Sequence, residues 1–160
     1  MQIIVDGYNL LNALLIDIPG GGEREDLLKL LENYRRFSKN RVTVVFDSYR
    51  AGLSADTSEK AGGVTVVFTA LGKTADQKIK EILKQLREGS IVVTSDNEII
   101  RFAKGVNAGY IRSEDFSRRL FNINYKDQEF DYEIRDNKKK GNPKRPKKAE
   151  RKRLLKLKKI

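Results

Sequence analysis

The sequence contains no histidine and no cysteine, and these two absences remove most of the common routes to enzyme chemistry. Without cysteine there is no disulfide framework, no thiolate nucleophile and no thiolate zinc site, which suits a reducing compartment. Without histidine, Ser-His-Asp hydrolysis, histidine-pair acid–base cleavage and histidine-held zinc are excluded as well. Any catalysis must therefore come from carboxylates, Lys, Tyr, Ser or a hard cation bound through oxygen. Also missing are an apolar run of about 18 residues and a basic-then-apolar leader, since the chain enters a core strand almost at once. The expectation is a cytoplasmic protein that does not span a membrane.

What is present is charge, unevenly placed. The 160 residues are 39% hydrophobic and 34% charged, with a formal net charge of +11. Between Lys138 and Ile160 there are thirteen Lys and Arg against one acid, Glu150, so residues 1–137 are close to neutral. We therefore expect one folded domain over 1–137 and a basic tail over 138–160. The tail, through Lys138, Lys139, Lys140, Lys144, Arg145, Lys147, Lys148, Arg151, Lys152 and Arg153, calls for a polyanionic partner. It is too charged to pack by itself. Leu154, Leu157 and Ile160 recur at i, i+3 and i+6, enough for a short amphipathic helix on that partner. One short apolar stripe suits RNA better than a membrane surface. The plain alternative is a solubilising tail.

Along the chain, short β-branched runs alternate with helical patterns. Ile3-Ile4-Val5, Val42 to Phe46, Val64 to Phe68 and Ile91 to Thr94 lack polar alternation and read as buried parallel strands. A short fifth strand is expected around Ala108 to Ile111. Leu10 to Ile16 reads as a short helix before the Pro19-Gly20-Gly21-Gly22 break. Leu27, Leu28, Leu31, Tyr34 and Phe37 mark an amphipathic helix of about 15 residues, with Glu23, Glu25 and Asp26 in its first turn. Thr74 and Gln77 have the spacing of a capping box ahead of Ile79, Ile82, Leu83 and Leu86, and Ser95 and Glu98 suggest another. Ser113 is expected to cap a helix containing Phe116 and Leu120. Ser48 to Gly63 reads as a long exposed loop carrying Arg50 and Lys60, both candidate RNA contacts. Phe121 to Arg135 alternates with period two, suggesting a hairpin extension over 121–135. The order implies an α/β fold with a mostly parallel sheet of about five strands and helices on both faces.

Two glycine-rich stretches mimic nucleotide motifs and fail the test of spacing. A dinucleotide fingerprint from Gly20 would need glycine at Glu25, and a P-loop ending in Gly72-Lys73-Thr74 would need it at Val67. Carboxylates are the better signal. Asp6, Asp47 and Asp96 each stand at the C-terminal end of an apolar run, and Asp76 opens a helix at the same edge, where open α/β sheets bind ligands. Such a cluster repels itself and suits Mg²⁺ or Mn²⁺. Gly7 would let a ligand approach the backbone, and Asn9 adds an amide. The plain alternatives are that Asp76 and Asp96 serve helix dipoles and that Asp47 serves a turn. Tyr8 is open between packing in the core and stacking on a base.

Ile4-Val5-Asp6-Gly7-Tyr8-Asn9-Leu10, Val44-Val45-Phe46-Asp47, Thr74-Ala75-Asp76 and Val93-Thr94-Ser95-Asp96 together resemble the motifs of bacterial YacP-like NYN domains, relatives of the PIN-domain nucleases. The resemblance covers roughly residues 2–121. It implies a PIN-like, Rossmann-like three-layer fold and a metal-dependent endoribonuclease, of a group that includes one acting on mRNA in association with the ribosome. It also implies Asp6, Asp76 and Asp96 as the catalytic acids, Asp47 as a further metal contact, and Asn9 and Ser95 in support. Two other readings suit the same residues: a catalytically silent RNA- or ribosome-binding protein, and a structure-specific DNA nuclease.

Overall fold

The computed structural model describes residues 1–17, 24–47 and 54–123. The tail, Arg50 and the part of the expected hairpin beyond residue 123 lie outside the described residues. Six strands form one sheet: β1 (Gln2–Asp6), β2 (Arg41–Phe46), β3 (Thr57–Ala61), β4 (Val64–Phe68), β5 (Ser90–Val93) and β6 (Gly109–Ile111). Their order is β3-β4-β2-β1-β5-β6, and every pairing is parallel except β3 with β4.

The runs form strands because both of their faces are covered. Ile3, Val5, Val42, Val44, Val64 and Val66 face one core with Leu10, Leu14, Leu27 and Leu31. These leucines come from α1 (Gly7–Asp17) and α2 (Arg24–Ser38). Phe116 and Leu120 join the same core from α5, the helix over 113–123. Ile4, Val45, Val67 and Val92 face a second core with Ile79, Leu83, Ile99 and Ala103, carried on α3 (Ala75–Leu86) and α4 (Asn97–Gly105). The result is the three-layer arrangement expected from the sequence.

Three features differ from that expectation. β3 occupies part of the predicted 48–63 loop, giving six strands rather than five; its outer residues Ser58, Glu59 and Lys60 are exposed, so it carries no apolar run to announce it. Gly62 and Gly63, at φ +55° and +84°, supply the two left-handed residues that a tight β3–β4 hairpin needs. Asp96, not Ser95, caps α4, accepting from the backbone N–H groups of Glu98 at 2.6 Å and Ile99 at 3.4 Å. Finally, 121–123 continue α5 instead of opening a hairpin. The Thr74–Gln77 capping box is present in full.

Candidate active site

Strand order places the site. The chain winds outward one way from β1 through β2 and β4 and the other way through β5 and β6, so the order reverses between β1 and β5. Ligands of open α/β sheets bind in the crevice outside the strands' carboxyl ends at such a reversal. Asp6 ends β1, and Thr94-Ser95-Asp96 follow β5.

Asp6 is 7% exposed. Its Oδ1 accepts the Asn9 backbone N–H at 3.2 Å, and its Oδ2 accepts the Thr94 hydroxyl at 3.2 Å. The first bond makes Asp6 the cap of α1, three residues before the donor. Thr94 Oγ1 in turn accepts the Asp96 N–H at 3.1 Å. Asn9 Oδ1 accepts twice, from the Ser95 N–H at 2.9 Å and the Ser113 hydroxyl at 3.1 Å. Ser113 therefore ties α5 to Asn9 rather than serving as a simple cap. Ser95 Oγ donates to Glu114 at 2.6 Å and accepts the Ser113 N–H at 3.2 Å. One polar network thus joins the ends of β1 and β5 to the start of α5. Residues in such a satisfied network are held in place.

The carboxylates are electrostatically in contact. Burial raises the Asp6 pKa from 3.8 to about 6, against the Asn9 and Thr94 hydrogen bonds, and the charges of Asp76 and Asp47 add to the rise. Asp76 is raised too, by burial first and then by Asp96, with Lys80 opposing. Lys80 itself is ion-paired with Glu98. Asp47 Oδ1 accepts the Ala75 N–H, the first amide of α3. The helices α1, α3 and α4 therefore all begin at this edge, each with an aspartate on or beside its first amides. Their positive ends favour anions there.

Of the residues expected at the site, Asp6, Asn9, Asp47, Asp76, Ser95 and Asp96 share this edge. Lys60 does not: it pairs with Thr65 near the start of β4, toward the opposite end of the sheet. Gly7 differs in role as well. A Cβ there would stand 2.3 Å from the Phe46 ring, so its missing side chain makes room for Phe46 and not for a ligand. Thr94, Ser113, Glu114 and Lys80 join the site without a sequence signal beyond their neighbours, because only strand order brings them together.

A hard cation can be judged by donor chemistry and by grouping. The donors are all oxygens, as Mg²⁺ and Mn²⁺ prefer. Among the described residues, however, no three His, Cys, Asp or Glu side chains are grouped so as to hold one ion. Asp47 and Asp96 instead hold backbone amides of α3 and α4.

Comparison with known proteins agrees with this fold. A model of the YacP-like NYN domain matches residues 3–160, past the last motif and through the basic tail. The chain is 32% identical over 103 residues to the uncharacterized protein YacP of Bacillus subtilis, covering 59% of each. It thus spans about three-fifths of that relative's length. Two crystal structures of Rae1 (YacP) from Bacillus subtilis are similar at 26% identity. One has a TM-score of 0.69, covering 98% of this chain and 91% of that one. The other, of a point mutant, has a TM-score of 0.67 and covers 84% of each. Among the described residues no helix is long and apolar enough to cross a membrane.

Proposed function

The chain belongs to the YacP-like NYN domain family, a branch of a nuclease superfamily, and from that membership we propose that it is a divalent-metal-dependent endoribonuclease. The observation that carries the proposal is Asp6, a buried carboxylate at the sheet's reversal whose proton affinity is raised by burial and by neighbouring acids. A cation relieves that strain.

The donor set fits Mg²⁺ or Mn²⁺ even without a three-carboxylate group, since Mg²⁺ commonly takes one or two protein carboxylates and completes its shell with water and substrate phosphate. Asp6 and Asp76 would hold it, with Asp47 and Asp96 at the margin. Bound there, the ion would acidify a water and offset charge building on the phosphate. The chain's own groups do the positioning. Thr94 and the Asn9 N–H fix the orientation of Asp6. Because Asn9 Oδ1 accepts two bonds, its Nδ2 carries the donors, which suit a phosphate oxygen. The helix N-termini favour the arriving anion. The tail adds affinity by counterion release, strongly salt-dependent and blind to sequence. Ribosome-associated mRNA is the target class that this reading proposes.

A specific observation favours a second reading, a catalytically silent RNA- or ribosome-binding protein: Asp47 and Asp96 already hold backbone amides. Incubation of labelled single-stranded RNA and matched DNA with the full chain, in Mg²⁺ and in EDTA, separates the possibilities. Internal cuts in RNA alone, only with Mg²⁺, are expected. Binding without cleavage under any divalent ion would leave the silent reading, and equal cutting of DNA would point to a DNA-directed nuclease.

A further inference from the structure

Arg24 stands apart from the site's other cations. It is the first residue of α2 and exposed, where a positive charge opposes the helix dipole. Glu25 and Asp26 in the same turn suit that dipole; Arg24 does not. Lys73 and Lys78 pair with Asp56, and Lys80 pairs with Glu98, but among the described residues no carboxylate pairs with Arg24. Its guanidinium lies instead over aromatic rings, 5.3 Å from the Tyr8 centroid, 5.3 Å from Phe46 and 5.8 Å from Phe68. It also donates a hydrogen bond to the Tyr8 hydroxyl.

The rings are rigidly set. Phe46 and Phe68 are register partners at the ends of β2 and β4 and stack at 5.9 Å, and Tyr8 meets Phe46 edge-on at 5.3 Å. Phe46 is fully buried, while Tyr8 and Phe68 are half-buried and share the surface with Arg24. The absence of a Cβ at Gly7 lets the Phe46 ring lie there. Tyr8 follows Asp6 by two residues and Phe46 precedes Asp47, so the cluster borders the acidic edge. A planar cation over aromatic faces, beside carboxylates proposed to act on a phosphodiester, has the composition of a base-stacking platform. Stacking on aromatic side chains and on Arg planes is how unpaired RNA bases are held.

We propose that Arg24, Tyr8 and Phe68, backed by Phe46, form a stacking subsite for one unpaired nucleobase next to the scissile phosphate. In the absence of RNA the Arg24 guanidinium covers the rings; with RNA bound it stacks on the base, and its charge faces the backbone. The proposal rests on the nuclease reading for the position of the phosphate, and its test does not depend on cleavage.

The experiment measures binding of the full chain to fluorescein-labelled single-stranded RNA in EDTA. A base-bearing oligonucleotide is compared with a series in which an abasic nucleotide is walked through each position. For the wild type, one abasic position is expected to weaken binding by about tenfold or more, within the range that stacking supplies. Arg24→Ala and Arg24→Lys should lose most of that contrast. Arg24→Lys should keep the wild-type salt dependence, because it keeps the charge and loses only the planar face. Both substitutions are at an exposed position, and circular dichroism checks that the variants fold. A wild type indifferent to every abasic position, or Arg24 variants that discriminate as it does, would overturn the subsite, as would no binding of single-stranded RNA at all. Positional discrimination without cleavage in Mg²⁺ would overturn the nuclease reading and leave the subsite standing; cleavage without discrimination would do the reverse.

Discussion

Replacing Asp6 by Asn should remove activity and make the protein more stable. Asp6 is 7% exposed, and its carboxyl titrates at about 6 instead of 3.8. That difference corresponds to about 3 kcal/mol at 1.36 kcal/mol per pH unit. The folded chain holds this proton more tightly than the unfolded chain, so ionisation of Asp6 works against folding. The penalty is full above about pH 6, shrinks as the pH falls, and is gone only below 3.8, where Asp6 is protonated in the folded chain and mostly so in the unfolded one. Asn keeps an oxygen for the Asn9 N–H. Its amide, however, cannot accept from the Thr94 hydroxyl, which donates to Asp6 Oδ2 in the wild type, a loss of about 1 kcal/mol. The net gain is about 2 kcal/mol above pH 7, or about 6 °C in Tm for a chain of this size. Thermal melts of both proteins in EDTA, from about pH 4 to 8, measure it. Adding Mg²⁺ should raise the wild-type Tm and leave the variant nearly unmoved. An Asn variant less stable than wild type at pH 8, or a difference that does not shrink toward pH 4, would refute the claim that burial strains this carboxylate.

Other expectations follow from packing, capping and ion pairing. Gly7→Ala drives a methyl into the buried Phe46 ring and should lower stability by about 1–3 kcal/mol in urea titrations. Thr74→Ala should lose about 1 kcal/mol by removing the α3 capping box, whereas Ser95→Ala should spare the cap of α4, which Asp96 provides. Asp56 accepts the Ala70 N–H at 2.9 Å and pairs with Lys73 and Lys78, and Lys78 first among these holds its carboxyl well below the usual range. Asp56→Asn should therefore reduce stability by about 1–2 kcal/mol near pH 7. Since a lowered pKa stabilises only while the group is ionised, that difference should fade as the pH drops below about 4.

The sheet was readable because parallel strands buried on both faces leave unbroken runs such as Val42 to Phe46, and because Thr74 and Gln77 cap within their own turn. Features that depend on partners far along the chain were not. β3 is a polar edge strand held by pairing with β4, and nothing in Thr57 to Ala61 marks it. The choice between Ser95 and Asp96 as the α4 cap turns on Ser95 reaching Glu114, nineteen residues away. Asp6 and Asn9 were legible as residues of the sheet's carboxyl edge from their position after a strand. Thr94 and Ser113 touch them across |i−j| of 88 and 104, and Arg24 reaches its rings only through the order β4-β2-β1. The motifs thus located the edge, and the topology supplied its neighbours.

The central claim, that a carboxylate-lined edge centred on Asp6 cuts RNA with a divalent cation, is tested most directly by single-turnover cleavage of labelled single-stranded RNA. Wild type and Asp6→Asn would each be assayed in Mg²⁺ and in EDTA. Internal cleavage by the wild type in Mg²⁺ alone, slowed by at least about a hundredfold in the variant, is predicted. Equal cleavage by the two proteins, or cleavage indifferent to EDTA, would contradict it.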